Sequence, residues 1–185
     1  MSQNTALLVM DMQLGILSTF PESPAIIENV ANAIAIARSK NIPIIYARLG
    51  FKNGGSEISA NNKVFAATKE RITEINLDEF SKVHPALEPQ LNDIVVTKRR
   101  VSAFTGSELE IILRSNDIKH LVLTGVATSG IVLSTTTEAS DKDYKVTVLS
   151  NGCADRDDEV HRVLTTKVFL RHANVLTIEE WKNLE

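Results

Sequence analysis

The sequence predicts a three-layer αβα sandwich, in which helices cover both faces of a parallel sheet. Three observations carry this. Short, nearly all-apolar runs recur along the chain, amphipathic helical segments separate them, and polar or turn-forming residues punctuate the joins. A strand buried on both faces has no solvent side, so it reads as continuous hydrocarbon rather than as an alternation.

The elements follow in order. Thr5 to Met10 (TALLVM) reads as the first strand, with Asp11 at its carboxyl end. Ser23 then serves as an N-cap with Pro24 at the first helical position, and Ile27, Val30, Ala31, Ile34 and Ala37 repeat at helical spacing as far as Lys40-Asn41. Ile42 to Ala47 is the second strand. From Leu49 to Glu88 periodicity is weak, and Gly54-Gly55 interrupts it. This predicts a long excursion with short helical pieces, and loops of that size in compact domains are often functional, so it is expected to cover a site. Asp93 to Thr97 is the third strand, ending at Lys98. Thr105 to Glu108 has capping-box spacing ahead of a helix whose buried face is Leu109, Ile112 and Leu113. His120 to Thr124 is the fourth strand, residues 129 to 142 a helix, and Lys145 to Leu149 the fifth strand. Asp157 caps a helix carrying Val160, Val163, Leu164 and Val168. Asn174 to Leu176 is the last strand, and Thr177 to Glu180 opens a final capped helix.

A chain of 185 residues suits one domain over 1–185. Charges of both signs are interspersed and the net charge is −3, which argues against nucleic acid or a membrane surface as partner. The opening MSQNTALLVMDMQ has no basic n-region, and Asp11 cuts its apolar run short, so neither a signal peptide nor a membrane span is expected and the location is read as cytoplasmic. Cys153 is the only cysteine, which excludes an internal disulfide and any cysteine cluster for zinc.

Ligands of open α/β sheets bind beyond the carboxyl ends of the strands. Asp11, Lys98 and the turn beginning at Gly125 all fall on that edge. The acid and the base are either a functional charge pair or ordinary strand-end charges. In the stretch GVATSGIVLSTTTEA, Gly130 and the amides after it lie at a helix N-terminus, which favours an anion or a developing oxyanion; the plain alternative is a helix entry capped by Ser129.

VMDMQ, VTKRRVSAF and TGVATSGIVLSTTTEA together resemble the isochorismatase-like hydrolases, the superfamily that includes nicotinamidases and N-carbamoylsarcosine amidase. The resemblance runs nearly from end to end. It implies a six-stranded parallel sheet, frequent dimers or tetramers, a small-molecule substrate, and a site where an Asp, a Lys and a Cys meet. It also implies a cis peptide between Val126 and Ala127. Carried over by position, Asp11 matches the family acid and Lys98 the family lysine, while Ile131 matches the nucleophilic cysteine. A hydrocarbon side chain has no lone pair, so the cysteine-dependent amidase route is closed at Ile131. Some relatives also lack this cysteine: isochorismatase carries glycine there and cleaves a vinyl ether, with the aspartate as acid and water as nucleophile. By that resemblance Asp11 is the proton donor, and Lys98 tunes it and holds an anionic group.

Around this core, Gln13 is placed to orient a water or Asp11, Phe104 to form an apolar wall, and Thr135 to hydrogen-bond in the pocket floor, with Val126, Ala127, Thr128 and Gly130 contributing the turn. Core packing is the alternative for Phe104. Arg48, Arg99 and Arg100 are either carboxylate grips or solvated cations. Cys153, just after the fifth strand, reads as a small packed residue rather than a displaced nucleophile. The four histidines show no metal-binding spacing and read as surface or helix-face residues, and the Asp-x-His triplet of nicotinamidases is missing, so no metal and no cofactor are expected.

Overall fold

The computed structural model describes residues 4–20 and 23–184. Met1 to Gln3 of the opening segment, and the position that precedes Ser23, therefore lie outside it. Six strands form one sheet: β1 (Thr5–Met10), β2 (Ile44–Leu49), β3 (Ile94–Lys98), β4 (His120–Val126), β5 (Lys145–Ala154) and β6 (Asn174–Leu176). All pairings are parallel and the order is β3-β2-β1-β4-β5-β6. The chain thus starts in the middle of the sheet, builds outward one way, and returns to build the other. The reversal lies between β1 and β4, where connections diverge and leave a crevice above the strand ends.

Successive side chains of a strand point to opposite faces, and β1 shows the consequence. Ala6, Leu8 and Met10 join one apolar cluster with Leu121, Leu123, Val146 and Val148, while Leu7 and Val9 join another with Val122 and Leu149. Helices α1 (Leu14–Leu17), α2 (Ser23–Ser39), α3 (Ala66–Arg71), α4 (Leu77–Ser81), α5 (Leu109–Ser115), α6 (Leu133–Asp141), α7 (Asp158–Val163) and α8 (Ile178–Lys182) connect the strands. Leu109 and Leu113 of α5 and Ala139 of α6 close the first face. Val30, Ala33 and Ala37 of α2 and Trp181 of α8 close the second. These are the three predicted layers.

Several local expectations shift. β2 begins at Ile44 and runs to Leu49, and helix α2 includes Ser23 itself. The capping box at Thr105 to Glu108 does not form. The Ser107 hydroxyl donates to Ala103 O at 2.6 Å and accepts from Leu109 N, so the helix starts at Leu109, with Glu108 at the cap position making no side-chain bond. β5 extends past Leu149, so Cys153 lies within the strand, opposite Gly125, rather than after it. Asp157 and Thr177 cap α7 and α8 as read. Between β2 and β3 the excursion gathers a small cluster of its own, with Leu49, Ile58, Phe65 and Ile72 buried together. Among the described residues no helix is long and apolar enough to cross a membrane.

Candidate active site

Asp11 leaves β1 at φ 54°, in the left-handed region where non-glycine residues are uncommon and Asp is among the more tolerated. This turn takes the chain sharply off the sheet edge, and Asp11 N donates to Ala47 O at 2.9 Å. Gln13 follows and is fully buried. Its Nε2 donates to Leu49 O at 2.8 Å and its Oε1 accepts from Leu49 N at 2.6 Å. Gln13 is therefore spent on clasping the end of β2 and orients neither a water nor Asp11. Because Leu49 pairs with Lys98 in the next strand, the clasp holds the ends of β1, β2 and β3 in register.

Lys98 Nζ lies 2.9 Å from Asp11 Oδ2 and donates to Arg100 O at 3.0 Å. Lys98 is 1% exposed and Asp11 6%. The other carboxylate oxygen, Asp11 Oδ1, is buried and has no hydrogen-bond partner among the described residues. Burial raises the Asp11 pKa above the ordinary carboxylate range. The charge and hydrogen bond of Lys98 oppose this, as does the nearby Leu49 amide, whose proton already goes to Gln13.

The turn after β4 forms the facing wall. Gly125 sits at φ 130°, and a Cβ there would lie 2.0 Å from Met10 O, so only glycine lets β4 come this close to the exit of β1. The Val126–Ala127 peptide is cis. Thr128 to Val132 form a π-helical turn leading into α6. Ala127, not Ser129, holds the N-cap position, and the Ser129 amide instead donates to Asp155 Oδ2 at 2.6 Å. Gly130 N is committed to Ala127 O. The anion at this helix entry is thus the protein's own Asp155. Thr128 is buried, and its Oγ1 lies 2.8 Å from His161 Nδ1.

Between these walls lies a pocket of about 240 Å³. Asp11, Lys98 and Ile131 line it together, so the three positions read from the sequence do meet. Ile131 is 2% exposed and does not close the space. Val126, Ala127 and Gly130 contribute wall, and Val64 and Phe65 bring the excursion to the rim. Phe104 and Thr135 do not line it. Phe104 packs beside the Tyr144 ring at 6.0 Å in the core, and Thr135 Oγ1 accepts from Ala103 N at 3.0 Å, fixing the loop after Lys98. Arg48, Arg99 and Arg100 donate to Thr97 Oγ1, Gly50 O and Glu57 O respectively, which uses them as loop ties. Two charged lining residues were not anticipated: Asp155 and Arg156, at the exit of β5. Only the length of β5, unreadable past Leu149, would have signalled them. Arg156 lies 5.3 Å over the Phe20 ring, donates to Thr19 Oγ1, and makes no ion pair among the described residues.

The histidines are not all helix-face residues either. His120, on β4, lies between Thr5 and Thr147 hydroxyls, and burial pushes its pKa down to about 4. Among the described residues no three His, Cys, Asp or Glu side chains cluster as a metal site.

The isochorismatase domain model matches residues 5–180. The chain belongs to the isochorismatase family. The isochorismatase family protein YecD of Escherichia coli O157:H7 is 30% identical over 187 residues, spanning 98% of this chain and 96% of that protein. Ureidoacrylate amidohydrolase RutB of Pantoea ananatis is 32% identical over 171 residues, covering 80% and 68%. An isochorismatase family protein structure from Burkholderia thailandensis superposes with a TM-score of 0.84 at 28% identity, over 97% of this chain and 94% of that one. Membership places the chain among the family's hydrolases.

Proposed function

We propose that this family hydrolase cleaves a small molecule with Asp11 as general acid, Lys98 as its positioning partner, and water as the nucleophile. The observation that carries the reading is Asp11 Oδ1: a buried carboxylate oxygen without a hydrogen-bond partner among the described residues, on the wall of a pocket, beside a second oxygen held by Lys98. A proton on Oδ1 removes the cost of that unpaired lone pair and is available to whatever fills the pocket.

Ile131 occupies the position that the resemblance gives to a nucleophilic cysteine, so the attacking atom must come from solvent. Water is a weak nucleophile toward an amide but adds readily to an oxocarbenium ion. A vinyl ether is therefore the bond class of choice. The Asp11 proton passes to the terminal vinyl carbon, which takes it with the double-bond electrons. Water then adds to the cationic carbon and loses a proton, and the hemiketal collapses to an alcohol and a carbonyl. Arg156, which makes no ion pair among the described residues, suits an anionic group on the substrate. The name of the Pantoea relative supports small amides as the second class to try. The family resemblance extends the proposal to a homodimer or homotetramer, which light scattering on the purified protein checks.

The test is a hydrolysis screen of vinyl ethers and small amides, run in parallel on the Asp11→Asn variant with circular dichroism to confirm its fold. Turnover lost in the folded variant supports the reading, and equal turnover overturns it. Ile131 favours one other reading, a ligand-binding or oligomeric member without catalysis. Binding of a substrate analogue with no turnover by either protein selects that reading.

A further inference from the structure

Asp155 is the second carboxylate of the pocket and has no part in the acid role given to Asp11. Its backbone sits where β5 leaves the sheet, and its side chain reaches the turn after β4. Oδ2 accepts from Ser129 N at 2.6 Å and Oδ1 from Arg156 N at 2.9 Å. Two backbone amides therefore fix the carboxylate plane, the Ser129 side chain and the Asp157 amide also bear on it, and the side chain stays partly exposed on the cavity wall. Both carboxylates line the same cavity as Ile131, the place where family chemistry would put a nucleophile.

We propose that Asp155 is a further catalytic residue, which holds the attacking water and stands against the positive charge that the Asp11 proton creates on the substrate. The inference rests on the vinyl-ether reading above. Protonation of the vinyl carbon gives the reacting group a positive charge, and a negative charge fixed on the pocket wall lowers the energy of that state. One carboxylate that donates a proton and one that stays charged is the division of labour of an oxocarbenium-forming site. The steps balance. The Asp11 proton goes to carbon, the water oxygen bonds to the cationic carbon, and its proton passes to Asp155. In the collapse, the carbon–oxygen bond to the leaving group breaks, Asp155 returns its proton to that oxygen, and Asp11 takes the hemiketal hydroxyl proton. Both carboxyls end as they began.

The environments of the two groups agree with these roles. Burial works against charge on Asp155, but hydrogen bonds from Ser129, Asp157 and Arg156 more than offset it and hold its pKa below the ordinary range, whereas that of Asp11 is raised. Other charged or titratable groups near Asp155 are Arg156 beside it, Asp157 two residues on, His161 of α7 behind Thr128, and Asp11 and Lys98 on the same pocket. Of these, His161 also titrates on the acid side, since burial lowers its pKa.

The experiment measures kcat, KM and the pH profile for wild type, Asp155→Asn, His161→Asn and Asp11→Asn on the vinyl ether that the wild type cleaves. Asn keeps an acceptor for Ser129 N and turns its NH2 toward Arg156 N, so a purely structural role predicts a loss of stability with little change in the kcat of the folded protein. The catalytic role predicts a fall in kcat of about 10²-fold with KM nearly constant. It also predicts that the low-pH fall in activity disappears in Asp155→Asn and persists in His161→Asn. If Asp155→Asn does not fold, Asp155→Glu takes its place and must keep the low-pH fall, because its carboxylate remains. Asp155→Asn with wild-type kcat, or a low-pH fall that follows His161, overturns the inference while loss of turnover in Asp11→Asn leaves the parent reading standing. A wild type that cleaves no vinyl ether overturns both.

Discussion

The two ends of β3 each hold a buried carboxylate paired with a cation, and the pairs differ in how many bonds their carboxylates accept. At the amino end, Asp93 takes Arg38 Nη1 on Oδ1 at 3.1 Å and Nη2 on Oδ2 at 2.6 Å, and Gln90 N adds a third bond at 2.8 Å. At the carboxyl end, Lys98 reaches Asp11 Oδ2 alone, and Oδ1 has no hydrogen-bond partner among the described residues and faces a cavity. Buried polar atoms in folded proteins are nearly always satisfied. The Arg38–Asp93 pair fastens α2 to the sheet, and both of its carboxylate oxygens are hydrogen-bonded. The unsaturated pair costs desolvation that structure alone gives no reason to bear. On the proposed function, the contrast separates an ion pair that holds the fold from one that does chemistry.

Substituting the acid of each pair tests this most sharply. Asp11→Asn is expected to lower turnover by about 10²- to 10⁴-fold, the usual worth of a positioned general acid, while the protein stays folded. Asp93→Asn is expected to leave kcat unchanged. Equal losses from both variants would collapse the distinction. The pH dependence has a definite sign: Asp11 must be protonated to act, so activity falls as pH rises through its raised pKa. In Asp11→Asn any residual rate loses that fall.

Next in size is the clasp that positions the functional pair. Gln13→Leu leaves the Leu49 N–H and C=O buried without their side-chain partners, at about 1–3 kcal/mol for each group. Urea titration is expected to show a loss of roughly 2–6 kcal/mol by the same accounting. A stability change near zero would mean that solvent reaches Leu49 and that the strand ends are looser than described. By comparison, Asp93→Asn removes the charge from a pair whose arginine is partly exposed, and the expected cost is about 1 kcal/mol. The larger effect thus belongs to a neutral amide, because its partners are wholly buried.

The same contrast explains what the chain alone could tell. The inner strands were legible because strands buried on both faces cannot alternate, and Asp11 and Lys98 were legible because each ends a largely apolar run. Gln13 was misread since sequence spacing shows which side of a strand a residue takes, not that a neighbouring strand offers its backbone there. Phe104 and Thr135 went the same way: both lie near the site in sequence but face the core. Asp155 and Arg156 escaped notice because polar residues interrupt β5 at Ser150-Asn151, hiding its second half. The false capping box at Thr105 had the right spacing, and a competing bond from the Ser107 hydroxyl to Ala103 O displaced it.

The smallest expected effect is none at all, and it guards the comparison from a third candidate. Cys153 is the sole thiol, and a cysteine nucleophile moved along the chain would make both carboxylates secondary. Its environment argues otherwise. The side chain is buried in β5, its Sγ leans on Leu123 O at 3.8 Å, and burial pushes the thiol pKa up to about 12. At neutral pH almost no thiolate exists there, and thiolate is the reactive form. Iodoacetamide is therefore expected to leave folded protein unmodified by mass and unchanged in turnover, with labelling only after denaturation. If alkylation of the folded protein abolishes turnover and Cys153→Ala removes that sensitivity, a thiol reaches the substrate. The unpaired oxygen of Asp11 would then serve that thiol as its base rather than the substrate as its acid.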